Sequence, residues 1–346
     1  MSVRLRVIAL ALLGLILAVL TAYWFHVAGE LRKGIDDFAT RKRAEGWRVT
    51  LDSVVLEGFP FTVTARLEGV DLRHPAGLSW HGEAVSVSIP LLNPLNIRVA
   101  LPGMHILGGF GRSAILSAGK ADLDLHLDRD GDLAGLVFSG GALALEQPGL
   151  DPLTLSEIKL VYDRFTPPDP GHEHPSAGLT LSLRGLDLPD MSGLPLARRI
   201  ESFQVEARVM GTIAGGPPLA ALAAWSHDGG TVELDRIALD WAPLSLEADG
   251  TLALDPALQP LIATSAHVRG FGEVVVRLVQ AGLVEPGMAS AAQLMLGILA
   301  RPDPLGRPTL TIPVTLQDGI LTAGQIRVMR VPPLPLPSPP SGASSP

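Results

Sequence analysis

The N-terminus opens on one long apolar run. Val7–Phe25 carries no charge and one clearly polar residue, Thr21. As a helix its 19 residues would reach about 28 Å at 1.5 Å each, close to the hydrocarbon thickness of a bilayer. Val7, Leu12 and Leu17 mark its apolar body. Tyr23, Trp24 and Phe25 close it with the aromatic side chains that suit a membrane–water interface. A cleavable signal peptide would need small residues at its cleavage site. The nearest candidate, after Ala22, has Leu20 two positions before it and Tyr23-Trp24 just after, so the segment 1–27 reads as a retained anchor.

The period then becomes that of an amphipathic helix. Leu31, Ile35 and Phe38 form a narrow stripe over 28–46, Arg41-Lys42-Arg43 occupy its last turn, and Gly46 follows as a stop. The basic run reads either as a solvated helix end or as a contact for anionic headgroups.

From Trp47 the alternation is twofold. Phe61, Val63, Ala65 and Leu67 alternate with polar neighbours, as do Val85-Val87-Ile89, Leu123-Leu125-Leu127, Leu179-Leu181-Leu183 and Phe203-Val205-Ala207-Val209. Each predicts a strand with one apolar and one wet face, the antiparallel pattern. Asp130-Gly131, Asp228-Gly229, Asp249-Gly250 and Asp318-Gly319 suggest hairpin turns, and the parity slips at Gly69 and Gly185 suggest bulges. Two segments, 271–282 and 287–300, lack the alternation and predict a helical hairpin across Glu285-Pro286-Gly287. Strands resume at Leu310–Leu316 and near Ile326 and Val328. The Pro-rich stretch 166–175 reads as a loop dividing the β region into candidate halves 47–165 and 176–330. The tail 331–346, rich in Pro and Ser, predicts disorder or polyproline structure. The fold class is therefore mainly β (α+β): an N-terminal transmembrane helix and a short amphipathic helix, then a long, curved, mostly antiparallel sheet over 47–330 with a helical hairpin near 271–300.

Composition narrows the function. A net charge of −8 argues against nucleic acid as a partner. With no cysteine, thiol catalysis, disulfides and zinc–thiolate sites are excluded. Aromatic residues are 5% of the chain, so the core is built from Leu, Val, Ile and Ala. Orientation is ambiguous by charge: Arg4 and Arg6 precede the apolar run, but Arg32, Lys33 and Arg41–Arg43 follow it. The short basic start before an apolar core favours export of the body.

Candidate chemistry is thin. Asp128-Arg129-Asp130-Gly131-Asp132 has the first ligands of a calcium loop, but Leu133 and Ser139 replace the required Gly and Glu, leaving an acidic hairpin tip. Asp122, Asp124, His126 and Asp128 share a strand face that reads as solvated. His172-Glu173-His174 lies in the Pro-rich loop and lacks a rigid third ligand. Gly108-Gly109-Phe110-Gly111 lacks the later glycine of a dinucleotide loop and reads as a bend. These residues predict no catalytic, metal or cofactor site, and no enzyme.

Several short segments, in order, carry a resemblance. Glu45-Gly46-Trp47, Gly58-Phe59-Pro60-Phe61, His74-Pro75-Ala76-Gly77-Leu78-Ser79-Trp80, Leu101-Pro102-Gly103 and Pro313-Val314-Thr315-Leu316-Gln317-Asp318-Gly319 resemble the bacterial family called domain of unknown function 2125. The resemblance implies a membrane-anchored envelope protein and supplies no catalytic residues. Asp249–Asp255 is similar to strand–turn units of AsmA-like envelope proteins, which are associated with outer-membrane lipid homeostasis.

Together these readings predict a single-pass protein of the bacterial inner membrane with its C-terminal domain in the periplasm. It would be non-enzymatic and bind or transfer lipid or another apolar ligand along a β-sheet trough. Its expected partners are membrane lipids and, as a further candidate, envelope proteins. A structural tether and an envelope-polymer hydrolase are the alternatives. The open question is whether the apolar sheet face is a closed core or a groove.

Overall fold

The computed structural model describes residues 3–109, 111–169, 171–189 and 196–334. Phe110 of the expected glycine bend, Pro170 of the Pro-rich loop and positions 335–346 of the tail lie outside the described residues. The chain is mainly β, its described strands pair antiparallel, and it carries four described helices. It divides into two compact units, 1–154 and 155–346.

The first unit begins with α1 (Val3–Ala44), a single helix of 42 residues. The anchor over 1–27 and the linker helix over 28–46 are thus one element. Proline is absent from the segment, and Gly29 and Gly34 are isolated interior glycines that cost about 1 kcal/mol each, too little to break a helix packed on a sheet. Gly46 ends it in a left-handed conformation (φ 90°). The Trp47 N–H donates to the Lys42 carbonyl and the Gly46 N–H to the Arg43 carbonyl, both at 3.0 Å. This pair of bonds is the Schellman cap that glycine at this position permits.

Eight strands follow: β1 (Arg48–Thr50), β2 (Ser53–Glu57), β3 (Thr62–Arg73), β4 (Ser79–Pro90), β5 (Asn96–Ala100), β6 (Gly103–Gly109), β7 (Arg112–Leu127) and β8 (Leu133–Glu146). They form a meander in which two positions are shared. β1 and β2 lie end to end along β3, and β5 and β6 lie end to end between β4 and β7, while β8 closes on β7. The register lines up one apolar row across the meander: Leu56, Ala65, Val87, Val99, Leu123 and Phe138. α1 lies on this face. Trp24 and Ala28 are buried against Val63 and Leu91, and Leu31 and Ile35 pack beside Ala65, Leu67, Val70 and Val85.

The second unit contains β9 (Leu153–Arg164), which starts at the division, β10 (Pro175–Asp187), β11 (Arg199–Met210), α2 (Pro218–His227), β12 (Val232–Trp241), β13 (Leu244–Leu254) and β14 (Pro260–Arg269). Next come α3 (Phe271–Gln280), α4 (Pro286–Leu299), β15 (Arg301–Pro302), β16 (Pro308–Gln317), β17 (Ile320–Ala323) and β18 (Ile326–Arg330). The strands again form a meander, with β16 beside β14 and β15 on β16. A second apolar row crosses six of them: Leu183, Phe203, Leu239, Leu246, Val268 and Leu310. The expected helical hairpin is present as α3 and α4.

Four expectations change. The Pro-rich loop joins the paired strands β9 and β10, so it is a hairpin connection, and the division falls before it. Asp228-Gly229 follows α2 rather than turning a hairpin, because the Gly230 and Asp228 N–H groups cap the helix on the Trp225 and Ala224 carbonyls. Asp249-Gly250 sits inside β13, paired on both sides, so tertiary pairing overrides the local turn signal. Gly69 and Gly185 have left-handed φ of 59° and 62°, yet β3–β4 and β10–β11 continue in register past them. They reverse which parity faces the core without adding a residue. The register shifts lie elsewhere, as at Glu206/Ala207 against β12 and at His126/Leu127 against β8.

Candidate functional site: an apolar groove beside the first helix

Alternation along β3, β4, β5 and β7 puts one aliphatic side chain in every two on the face beneath α1. The stripe Val27, Leu31, Ile35, Phe38 and Ala39 faces them from the helix. The two surfaces do not close on each other. Between them runs a groove of about 770 Å³, floored by residues including Leu67, Val70, Val85, Val87, Ile97, Val99 and Leu125. Leu31, Ile35, Val87, Val99 and Trp80 remain half-buried, so the groove is not sealed. Among its described lining residues, Glu30 is the one carboxylate and His26 the one imidazole, both on α1. No acid–base pair of carboxylates stands among its described lining residues.

Trp24 stands on α1 two residues before His26, the first helix residue to line the groove. Its indole N–H donates to the Thr62 carbonyl at 2.8 Å. Its ring meets Phe59 edge-on, with centroids 6.0 Å apart. The turn before β3 makes this possible. Gly58 (φ 97°) lets the chain fold so tightly that a Cβ there would come within 2.6 Å of the Thr62 oxygen. Toward the cap of α1, Trp47 packs on His74 (centroids 5.0 Å) and Val49 belongs to both the groove and a second, basic pocket. Three of the segments that carry the family resemblance, Gly58–Phe61, Glu45–Trp47 and His74–Trp80, therefore lie near the groove.

The candidate anchor residues separate into two groups. Leu12 (53% exposed) and Leu17 (55%) project outward, as do Tyr23 and Phe25. Trp24 is 7% exposed and docks into the sheet unit instead of facing outward. The side chain of Val7 lies outside the described residues. α1 is the described helix long and apolar enough to cross a membrane.

The polar candidates are structural. Asp128 Oδ1 accepts the N–H groups of Asp130 and Asp132, both at 2.9 Å, so its carboxylate caps the hairpin turn between β7 and β8. Asp124 pairs with Arg98 at 2.6 Å and Asp122 with Lys120 at 3.5 Å across a solvated face. The hydrogen bond from Arg98 to Asp124, and then the charge of that carboxylate, raise the Arg98 pKa above its ordinary value. His172 fits under Gly211, where a Cβ would clash with its ring, and His174 faces Asp169 at 3.7 Å. Among the described residues, no three His, Asp or Glu side chains converge as a metal site. Sequence reasoning picked out Arg43 in the basic run but missed Arg48 and Arg73 beside it, because these two lie 25 residues apart and meet only through the β1–β3 ladder.

No curated protein and no solved structure matches the chain. A family model described as an uncharacterized protein conserved in bacteria, DUF2125, matches residues 24–332, a span that starts at the buried Trp24 and covers both units. By that match the chain belongs to the DUF2125 family of bacterial proteins.

Proposed function

We propose that this protein is a single-pass bacterial inner-membrane protein whose periplasmic domain holds the acyl chain of a lipid between α1 and the sheet. One observation carries the reading: an unsealed groove of about 770 Å³ whose described lining is apolar except for His26 and Glu30. That volume falls within the roughly 300–1,000 Å³ of small-molecule pockets.

The length of the groove supports the same reading. From His26 to Ala39 it follows fourteen residues of α1, about 20 Å. One leaflet of a bilayer contributes about 15 Å of hydrocarbon. The burial of Trp24 ties the end of the apolar span to the folded unit that carries the groove. The absence of paired carboxylates in the described lining makes this site a poor one for hydrolysis.

Lipid extraction from the full chain, purified in a mild detergent, tests the proposal. Mass spectrometry should find co-purifying lipid in near-stoichiometric amount. A lipid with a photoreactive acyl chain should crosslink at Leu31 or Val87 rather than at Leu12 or Leu17. Crosslinks confined to the exposed apolar face of α1 would contradict it, because they would report only the lipid around a membrane helix.

A further inference from the structure

At the capped end of α1 the chain assembles a second pocket, of about 580 Å³, lined by Arg43, Arg48, Arg73, His74 and Trp47 and sharing the lining residue Val49 with the groove. We propose that this pocket binds the phosphate of an anionic lipid headgroup while the acyl chain runs back along α1 toward Phe25. The inference rests on the acyl-chain reading and names its ligand.

The charge arrangement points to an anion. Arg48 and Arg73 are register partners on β1 and β3, so two basic side chains leave neighbouring strands on the same face. Like charges in that position destabilise a sheet, and a bound anion reverses the effect. Arg73 pairs with Asp71 at 2.8 Å. Among the described residues Arg48 has no carboxylate partner, and the Arg43 guanidinium is oriented by the Val49 carbonyl at 3.0 Å. Of the three guanidiniums, Arg73 is the one with a carboxylate against it among the described residues. Planar guanidinium forks match the oxygens of a phosphate group.

His74 is oriented by the Ala76 N–H, which donates to its Nδ1 at 3.2 Å and turns Nε2 away from that bond. That Nε2 lies toward the bare α-carbon of Gly46, where a Cβ would stand 3.8 Å away. The negative end of α1 does not oppose the anion here, because the Lys42 and Arg43 carbonyls are occupied by the cap and three basic residues fill the last turn. Arg43 stands eighteen residues beyond Phe25 on an unbroken helix, about 27 Å along it. The headgroup therefore sits far from the anchor end, as it would in a lipid lifted out of the bilayer.

Binding of fluorescent phosphatidic acid and of diacylglycerol with the same acyl chains, to the full chain in detergent, separates the two claims. Phosphatidic acid should bind about tenfold tighter, the value of one charge-assisted interaction. Arg48→Gln, and Arg48→Gln with Arg43→Gln, should remove that preference and leave diacylglycerol binding unchanged. Arg48 is exposed, so its replacement leaves the fold intact. Equal binding of both lipids by the unaltered protein would overturn the headgroup site and leave the groove standing. Failure of both lipids to bind would overturn the groove as well. Inorganic phosphate is the third arm: if it binds as tightly as phosphatidic acid and displaces it, the pocket is a free-phosphate site and the lipid assignment is wrong.

Discussion

The indole N–H of Trp24 donates to the Thr62 carbonyl at 2.8 Å, tying the end of the apolar span to the first residue of β3. The membrane-length part of α1 is thus continuous with the folded unit, with no hinge between them. Trp24→Ala removes a 7% exposed ring and leaves its cavity, which should cost about 3–5 kcal/mol. Trp24→Phe keeps most of the packing and loses the hydrogen bond, which should cost about 1–2 kcal/mol. Denaturant unfolding of the full chain in detergent should rank unaltered protein above Trp24→Phe and Trp24→Phe above Trp24→Ala. Equal stability of all three would show that the ring is not docked.

Acid should weaken the loop between β15 and β16. Above all the Arg307 backbone N–H, and then the Arg307 guanidinium and the Leu305 N–H, hold the Asp303 carboxyl below its usual range against partial burial. The folded value lies below the unfolded one of about 3.9. The stability it contributes is therefore fully present above that value and lost as pH falls through the folded pKa. Asp303→Asn should lower the unfolding temperature at pH 7, and the gap from the unaltered protein should narrow below about pH 4. A gap that widens in acid would contradict the assignment.

α4 is an apolar helix with little cover. Leu294, Met295, Ile298 and Leu299 are 64–72% exposed. Removing them gives up little burial, so Leu294→Ser and Ile298→Ser should each change stability by only about 0.5 kcal/mol, mostly through helix propensity. Thermal unfolding checks this. A loss above about 2 kcal/mol would mean that these side chains are buried when the protein unfolds from its working state.

The strands were legible because burial of one face imposes alternation, and Val63, Ala65 and Leu67 show it directly. The α3–α4 pair was legible from the loss of that alternation. α2 was missed, although Pro218 at its first turn and the Ala-rich run to Trp225 are helix signals; the run is short and follows a Pro–Gly stretch that reads as loop. The groove was half legible. The stripe at Leu31, Ile35 and Phe38 was visible, but its distance from the sheet is a packing outcome that no local pattern encodes. Arg48 and Arg73 become neighbours only through β1–β3 register, and no short-range signal marks that pairing.

Gly34 offers the most direct test of the groove. It lines the groove from α1, and a Cβ there meets nothing within 4 Å. Gly34→Leu should raise helix stability by about 0.5–1 kcal/mol while its side chain occupies ligand space. The decisive measurement is acyl-lipid binding by the full-length Gly34→Leu protein, with its unfolding temperature recorded alongside. The account predicts weaker binding in a protein at least as stable as the unaltered one. Unchanged binding in that stable variant would contradict it.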